Sequence, residues 1–344
     1  MKNNGLIIIL IIILSIFSMI NLYNYDSFLM KQIIWYIIGF IIYFILKKMN
    51  KKYIFRFSIL LYIILNVLLL YLLLFGNAIN GTKAWINIFG SSFQPSEFMK
   101  VILIIVLGYT STKKHYLIKS IILTLIPSVL TYLEPETGNV IFYIMILFSV
   151  IYYKNTSNQF FKKLLTFIIF IGSIIFSLTY YFSDLFISLV GNNIFYRIDR
   201  VVSLFTNSSY QLNQALMSIG SAYYFGGSYG AFIPEAITDF AFALLISKIG
   251  FVGIIVFLIV NYMLDLTLIK KHSSNFGIMK TITFSFVILK IVQESIHMLM
   301  NIGLFPITGI TLPFISYGGS SILSYFFIIG VISNSSKDYS LDME

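Results

Sequence analysis

The chain has 344 residues, of which 58% are hydrophobic and only 10% are charged, and its mean hydropathy is +0.91. A soluble globule of this size needs far more polar surface, so the composition excludes a soluble fold and predicts an integral membrane protein. The net charge of +10 is explained by contact with anionic lipid rather than nucleic acid, and the lack of cysteine excludes disulfides and thiolate metal sites.

Ten apolar stretches are long enough to cross a hydrocarbon core of about 30 Å as helices. These spans are 5–22, 32–46, 54–75, 96–111, 116–133, 139–153, 164–182, 240–264, 278–302 and 318–334. Runs such as LLYIILNVLLLYLLLFG are apolar on every face, which excludes the alternation of a β-barrel. The sequence therefore predicts an all-α, polytopic bundle of ten transmembrane helices. It forms a single domain, 1–344, with a long loop over about 183–239 between helices 7 and 8.

The distribution of Lys and Arg indicates the orientation of the bundle, because retained positive charge marks the cytoplasmic side. Sixteen of the 23 Lys and Arg residues fall on one side, including the run KKMNKKYIFR at 47–56. The other side holds only Lys31, Lys83, Arg197 and Arg200. Both termini are therefore predicted to be cytoplasmic, with the long loop outside.

The fourth predicted helix begins with QPSEFMK, which places Glu97 and Lys100 three residues apart on one helix face. Charges inside a membrane span are costly and usually face a partner or a cavity. The pair therefore has two interpretations, a structural pair at the membrane edge or a part of a functional site.

The stretch FIPEAITDF, 232–240, brings two carboxylates, Glu235 and Asp239, to the start of the eighth predicted helix. Thr238 and Asp239 are both good N-caps, so Asp239 could simply stabilise the helix start, by about 1 kcal/mol. Alternatively, partial burial at the outer mouth of a polar bundle would raise the pKa of Asp239 and suit it to accept a proton.

The ninth predicted helix carries four polar residues on one stripe, Lys290, Gln293, Glu294 and His297. Such a stripe predicts a polar, water-filled cavity that serves binding or proton movement, or contacts that hold helices together. Lys248 follows Asp239 by nine residues, about 13 Å along a helix. We therefore predict that Lys248 lies near the inner half of the eighth helix, in the same cavity, with Glu294 as a possible partner.

The stretch LPFISYGGSS, 312–321, ends a loop where the tenth predicted helix begins. Backbone N–H groups at a glycine-rich helix N-terminus suit an anion such as phosphate. A glycine turn followed by serine caps is an equally good interpretation. The sequence contains no phosphate loop, dinucleotide fingerprint, metal-binding histidine pair or nucleophile elbow.

Taken together, these segments resemble the SEDS family (shape, elongation, division and sporulation), which includes RodA, FtsW and SpoVE. The motifs that carry the resemblance are NGTKAWINIFGSSFQPSEFMK, EPETGN, YQLNQALMSIGSAYYFG, FIPEAITDFAFA and FPITGITLPFISYGGSS. The resemblance implies a peptidoglycan glycosyltransferase that polymerises lipid II at the outer face of the bacterial cytoplasmic membrane. It also implies a class B penicillin-binding protein as partner.

The resemblance places the family's essential acid at Asp239, which would act as a general base. The residues predicted to bind substrate are Lys83, Trp85, Gln94, Glu97, Lys100, Arg197, Arg200, Glu235, Thr238, Ser316, Gly318, Gly319 and Ser320. No organic cofactor is implied. Lys100, Arg197, Arg200 or a divalent cation, Mg²⁺ or Mn²⁺, could neutralise the departing pyrophosphate, although the sequence does not indicate the ligands of a metal.

Several positions depart from the family pattern. Ala84 replaces the Arg before the conserved Trp, Ile237 replaces the His of PEAHTDF, and SKIG at 247–250 replaces EELG. Glu134, Pro135 and Glu136 stand where the family has the first three residues of QPDLGT. Two other functions stay open: a lipid II flippase, which the polar stripe Lys290, Glu294 and His297 favours, or a non-catalytic scaffold that activates a penicillin-binding transpeptidase.

Overall fold

The structure is a computed structural model that describes residues 2–77, 82–88, 91–134, 136–153, 210–227, 232–272, 277–305 and 307–334. The predicted span 164–182 lies outside the described residues, as do Arg197, Arg200 and most of the predicted long loop.

Within the described ranges the chain forms ten helices and one hairpin. The helices are α1 (Lys2–Leu22), α2 (Asp26–Lys48), α3 (Lys51–Phe75), α4 (Pro95–Thr110), α5 (Tyr116–Leu133), α6 (Thr137–Tyr153), α7 (Tyr210–Gly220), α8 (Ala241–Lys271), α9 (Ile278–Asn301) and α10 (Gly319–Ile332). The strands are β1 (Ile86–Ile88) and β2 (Ser91–Phe93), which pair antiparallel with Ile86 opposite Phe93.

Nine of the ten predicted spans therefore appear as helices in the described ranges, and the all-α membrane fold is confirmed. Six helices, α1, α2, α3, α5, α8 and α9, are long and apolar enough to cross a membrane. The hairpin and α7 were missed, because two three-residue strands carry almost no periodic signal. The 11 residues of α7 are too few for a span.

Two helices form the buried centre of the bundle. In α4 the buried positions run almost without interruption from Pro95 to Thr110, and α10 is buried over nearly its whole length. Helix α4 contacts α3, α5, α6, α9 and α10. A residue of α4 or α10 therefore faces other helices rather than lipid, which explains how these two helices can carry polar side chains.

The two ends of the bundle differ in chemistry. At one end, Lys271 Nζ donates a hydrogen bond to the carbonyl oxygen of Ser333 at 2.8 Å and contacts Asn4. Asn334 Nδ2 donates to the carbonyl oxygen of Leu46 at 2.7 Å. The start of α1 and the end of α10 thus lie together, as the charge distribution predicts. We call this the lysine-rich end and the opposite one, which contains the loops at 82–94 and 302–318, the loop end.

Helix α8 is kinked at Gly250, whose φ of 67° and ψ of −177° are not helical. Asn21 Nδ2 donates to the carbonyl oxygen of Ala241 at 3.2 Å, and Lys248 Nζ donates to the carbonyl oxygen of Asn21 at 2.7 Å. The segment 241–249 therefore lies against the loop end of α1. Only 251–271 runs along α1, where the rings of Phe17 and Phe257 are 5.7 Å apart.

The kink corrects the prediction for Lys248. A straight helix over 240–264 would carry Lys248 about 13 Å into the membrane, beside Glu294. The turn at Gly250 instead keeps Lys248 at the loop end, where its ammonium group binds the carbonyl oxygens of Ile20 and Asn21. The predicted pairing of Lys248 with Glu294 is wrong, since Glu294 pairs with Lys290 instead.

Replacing Gly250 with Ala is expected to destabilise the protein by more than about 2 kcal/mol, because an L side chain is strained in this conformation. A Cβ at this position would also collide with backbone atoms of Tyr224, Phe225 and Gly226. Thermal unfolding of the purified protein measures the effect. Gly220→Ala is the matched control, since a Cβ at Gly220 would have nothing within 4 Å. Equal unfolding temperatures for the two variants would contradict the prediction.

Candidate functional site

Asp239 lies at the loop end, in a tight turn just before α8. The carbonyl oxygen of Glu235 accepts hydrogen bonds from the backbone N–H groups of Thr238 at 3.2 Å and of Asp239 and Phe240 at 3.1 Å each. Glu235 itself has a left-handed φ of 52°, and its exposed side chain accepts a hydrogen bond from Thr238 Oγ1 at 3.0 Å. Glu235 therefore shapes the turn that positions Asp239.

The carboxylate of Asp239 is available to a ligand. The N-cap position of α8 is Phe240, and no side chain caps the helix. Within the described ranges the Asp239 carboxylate accepts no hydrogen bond from the protein; Asn301 Nδ2 donates to its backbone oxygen instead, at 3.0 Å. Burial raises the pKa of Asp239 to about 6, and the carboxylate of Glu235 contributes. The capping interpretation therefore fails, and a half-buried proton acceptor remains.

The segment 307–318 supports the Asp239 turn. Ser316 Oγ donates to the carbonyl oxygen of Thr238 at 2.7 Å, and the Tyr317 N–H donates to the carbonyl oxygen of Ile237 at 2.8 Å. A Cβ on Gly309, whose φ is 66°, would lie 3.8 Å from Oδ2 of Asp239. This glycine thus brings backbone close to the carboxylate without a side chain between them.

A second polar cluster joins the starts of α4 and α6 around Glu136. Its carboxylate accepts hydrogen bonds from Gln94 Nε2 at 2.5 Å and Ser96 Oγ at 2.8 Å, and also from Asn139 Nδ2. A Cβ on Gly138 would lie 3.5 Å from the carbonyl oxygen of Thr308. The segment that approaches Asp239 through Gly309 therefore also packs against this cluster.

Glu134 is a buried acid beside that cluster. Its side chain is fully buried, and neither carboxylate oxygen has a hydrogen-bond partner among the described residues. Burial, with the neighbouring Glu136 adding to it, raises the pKa of Glu134 to about 8. A buried carboxylate without donors is costly when ionised, so Glu134 keeps its proton at neutral pH.

Replacing Glu134 with Gln is expected to stabilise the protein at pH 8, by on the order of 2 kcal/mol, and to change little near pH 5. The unfolded chain ionises this carboxyl near its ordinary pKa of 4.5, whereas the folded protein holds the proton to about pH 8. The folded state therefore loses stability as the pH rises through this interval, and Gln removes that loss. Thermal unfolding from pH 5 to 8 tests this, with the exposed Glu235→Gln as control. A pH dependence shared by wild type and Glu134→Gln would contradict it.

Glu97 and Lys100 form an internal pair rather than an open ligand site. Lys100 Nζ lies 2.8 Å from Glu97 Oε1 and 3.2 Å from Gln293 Oε1 of α9, and Lys100 is only 2% exposed. Tyr325 of α10 donates to the same Gln293 oxygen at 2.8 Å. The contacts hold α4, α9 and α10 together, so the prediction that Lys100 neutralises pyrophosphate is not supported by its position.

The predicted anion site at the start of α10 is also occupied by protein. The Gly318 N–H faces Gln32 Oε1 at 3.4 Å, and Ser320 Oγ accepts a hydrogen bond from the Gln94 N–H at 2.9 Å. A Cβ on Gly319 would collide with the indole of Trp35. These residues pack α10 against α2 and α4, and Ser320 links two chain segments instead of capping its own helix.

Two other predicted substrate residues lie in the segment before the hairpin. Trp85 is half-buried. The Lys83 N–H donates to the carbonyl oxygen of Glu134 at 3.3 Å, and its ammonium group lies 3.4 Å from the carbonyl oxygen of Leu73. The structure thus places Lys83 beside Glu134 at the loop end.

The stripe on α9 is divided among different partners. Lys290 Nζ lies 2.8 Å from Glu294 Oε1 and 3.1 Å from Asp265 Oδ1 of α8, and we call these three residues the ion triad. His297 Nδ1 donates to the carbonyl oxygen of Ile310 at 2.6 Å. Lys290, Gln293 and His297 are all fully buried. These contacts favour a role in holding helices together over the predicted water-filled cavity.

Sequence reasoning missed Asp265 and Asn301, which lie outside the motifs. Asp265 is a single acid in an apolar helix, and its partner is 25 residues away. Asn301 donates to the Asp239 carbonyl oxygen and accepts from the Ala243 N–H at 3.0 Å each. The only available signal was spacing, since Asn301 follows His297 by one helical turn on the polar stripe.

The sequence model of the cell cycle protein family named for FtsW, RodA and SpoVE matches residues 3–340. The probable peptidoglycan glycosyltransferase FtsW of Wigglesworthia glossinidia brevipalpis is 31% identical, and the alignment covers 76% of this chain and 71% of that protein. The protein of the same name from Nitrosomonas europaea is 29% identical, with coverage of 74% and 68%.

Two solved structures share the fold. A chain from a study of structural coordination of polymerization and crosslinking by a peptidoglycan synthase complex matches with a TM-score of 0.77 and 21% identity, covering 95% of both chains. The rod shape determining protein RodA of Thermus thermophilus matches with a TM-score of 0.68 and 22% identity, covering 95% of this chain and 94% of that one. At this level of identity, the two structures establish the likeness of fold alone.

Proposed function

Because the chain belongs to the FtsW, RodA and SpoVE family of cell cycle proteins, we propose that it is a peptidoglycan glycosyltransferase. Its substrate is lipid II, which it polymerises into glycan strands at the outer face of the bacterial cytoplasmic membrane. The observation that carries the proposal is the carboxylate of Asp239, which is half-buried at the loop end and free of protein hydrogen bonds within the described ranges. The loop end corresponds to the outer face, since the opposite end is rich in lysine.

In this mechanism Asp239 acts as the general base. The acceptor sugar hydroxyl attacks the anomeric carbon of the donor and passes its proton to the Asp239 carboxylate as the new C–O bond forms. The bond to the pyrophosphate breaks, and the lipid pyrophosphate leaves with the electron pair. A pKa near 6 leaves Asp239 ionised at neutral pH but more basic than an ordinary carboxylate, which favours proton transfer.

The leaving group needs charge neutralisation more than a proton donor, because pyrophosphate is already a good leaving group. Lys100 is already paired with Glu97 and hydrogen-bonded to Gln293. Arg197 and Arg200 lie outside the described residues. Among the described residues no cluster of three or more acidic or histidine side chains fits a metal ion. We therefore assign no step of the mechanism to a bound Mg²⁺ or Mn²⁺.

A class B penicillin-binding protein is the partner we propose. Support comes from the likeness of fold to a chain of a peptidoglycan synthase complex. Such a partner would crosslink the strands that this chain makes. The alternative of a lipid II flippase has less support, because the polar stripe on which it depended is buried and bound to neighbouring helices.

The proposal is tested by incubating the purified full chain with fluorescent lipid II, alone and with a co-purified class B penicillin-binding protein whose transpeptidase is blocked by a β-lactam. Polymeric glycan on a denaturing gel is expected. Movement of lipid II across vesicles without polymer would favour the flippase. Absence of polymer, with this chain still stimulating crosslinking of added glycan strands by the partner when the β-lactam is omitted, would favour the scaffold.

A further inference from the structure

A cavity of about 330 Å³ opens at the lysine-rich end, where α4 ends and α5 begins. It is lined by Tyr109, Thr110, Lys113, Lys119, Ile122 and Leu123. Lys113 belongs to the turn between the helices and Lys119 to the first turn of α5. Ile122 and Leu123 lie one turn further along α5, toward the membrane interior. The cavity thus has cationic groups at the membrane surface and an apolar wall below them.

Helix α3 holds the cavity in shape. The ring of Phe55 stacks on Tyr109 with 5.4 Å between centroids, and Tyr62 donates a hydrogen bond to the carbonyl oxygen of Leu123 at 2.8 Å. On the side of α5 that faces away from the bundle, Ile118 and Ile122 are 61% and 51% exposed. The apolar wall is therefore continuous with the lipid-facing surface of α5.

The charge around this cavity is unbalanced. No Asp or Glu occurs between Asp26 and Glu97 or between Glu97 and Glu134. The cations that these stretches place at the lysine-rich end are Lys47, Lys48, Lys51, Lys52, Arg56, Lys113, Lys114 and Lys119. Helices α2 to α5 thus present basic groups at this end with no carboxylate from their own sequence, a field that attracts anions.

We propose that this cavity binds an anionic diacyl phospholipid such as phosphatidylglycerol. The phosphate lies between Lys113 and Lys119, and one acyl chain follows Ile122 and Ile118. Lys113 Nζ lies over the ring of Tyr109 at 5.3 Å from its centroid, which keeps the ammonium group at the cavity. Basic pockets between helices at the membrane surface suit such headgroups.

The lysine ammonium groups and the apolar wall of the cavity together favour a lipid over a soluble anion. A free phosphate would be held by the lysines alone and would gain nothing from the isoleucines. An anionic lipid gains from both, since each buried methylene adds about 0.8 kcal/mol. The site lies at the opposite end of the bundle from Asp239, so it does not depend on the proposed glycosyl transfer.

Native mass spectrometry of the full chain in detergent, with equal amounts of phosphatidylglycerol and phosphatidylcholine added, tests the proposal. Wild type is expected to carry phosphatidylglycerol preferentially. Lys113→Gln with Lys119→Gln is expected to lower the bound fraction about tenfold. Ile122→Asn, which changes no charge, is expected to lower it as well. Thermal unfolding of each variant verifies that it is folded.

The matched control is Lys48→Gln with Lys52→Gln, which removes the same charge from exposed positions at the same end. It is expected to lower phosphatidylglycerol binding less than twofold. Equal loss in the two double variants would overturn the proposal, since binding would then follow overall charge. Displacement of the lipid by inorganic phosphate would also overturn it.

Discussion

Replacing Asp239 with Asn is expected to slow glycan polymerisation by about 10²- to 10⁴-fold, the usual contribution of a general base. Asn has nearly the same shape but cannot accept the proton of the attacking hydroxyl. The rate is measured with fluorescent lipid II under initial-rate conditions, with the partner protein present at a fixed ratio. Full activity of Asp239→Asn would exclude this residue as the base.

The unfolding temperature of Asp239→Asn distinguishes a loss of catalysis from a loss of folding. Burial raises the pKa of Asp239 to about 6, so the charged form is disfavoured in the folded protein. Above pH 6, Asp239→Asn removes that unfavourable charge and is expected to unfold at a temperature no lower than wild type. An inactive variant with unchanged stability would assign the effect to catalysis.

The exposed Glu235 provides the matched control. Glu235→Gln keeps the backbone turn, whose hydrogen bonds come from the Glu235 carbonyl oxygen, and should retain activity within about tenfold of wild type. The rate of the wild-type protein should rise with pH through about 6, because only the ionised Asp239 accepts a proton. A flat pH profile over that range would contradict the assignment.

The membrane bundle could be predicted from sequence because long apolar runs have few alternatives in lipid. The path of α8 could not, since Gly250 in an apolar helix looks the same whether it is helical or not. Because Gly250 has a φ of 67°, Lys248 lies at the end of α1 and not in the predicted cavity. A single backbone conformation therefore decided the partner of a charged side chain.

The candidate site was predictable in part. The family resemblance pointed to Asp239, and the carboxylate of this residue accepts no hydrogen bond within the described ranges. The motif at 312–321 and the pair Glu97 and Lys100 each allowed two interpretations, because a polar or glycine-rich pattern does not distinguish a ligand site from a site filled by another helix. In both cases the partners, Gln32 and Gln293, come from distant helices.

Ile237, which stands where the family has His, has a packing role. Its side chain lies against the buried apolar cluster that includes Ala215 and Phe240, and its carbonyl oxygen accepts the Tyr317 N–H. This position therefore supports the Asp239 turn through the backbone and supplies no titratable group. The carboxylate of Asp239 must act without an imidazole from residue 237.

Replacing Lys290 with Met is expected to destabilise the protein by on the order of 3 kcal/mol, because it leaves two buried carboxylates without their cation. Lys290 is fully buried between Glu294 and Asp265, which are each 6% exposed. Thermal or denaturant unfolding of the purified protein measures the loss. Lys48→Met, at an exposed position, is the control and should unfold like wild type.

A triple variant tests whether the loss comes from uncompensated charge. Adding Asp265→Asn and Glu294→Gln to Lys290→Met removes all three charges of the ion triad, and is expected to recover at least half of the lost stability. If Lys290→Met is as stable as wild type but no longer polymerises lipid II, the triad serves function rather than helix packing. Recovery by the triple variant, with polymerisation intact, would show that the triad joins α8 to α9 and that the chemistry belongs to the loop end.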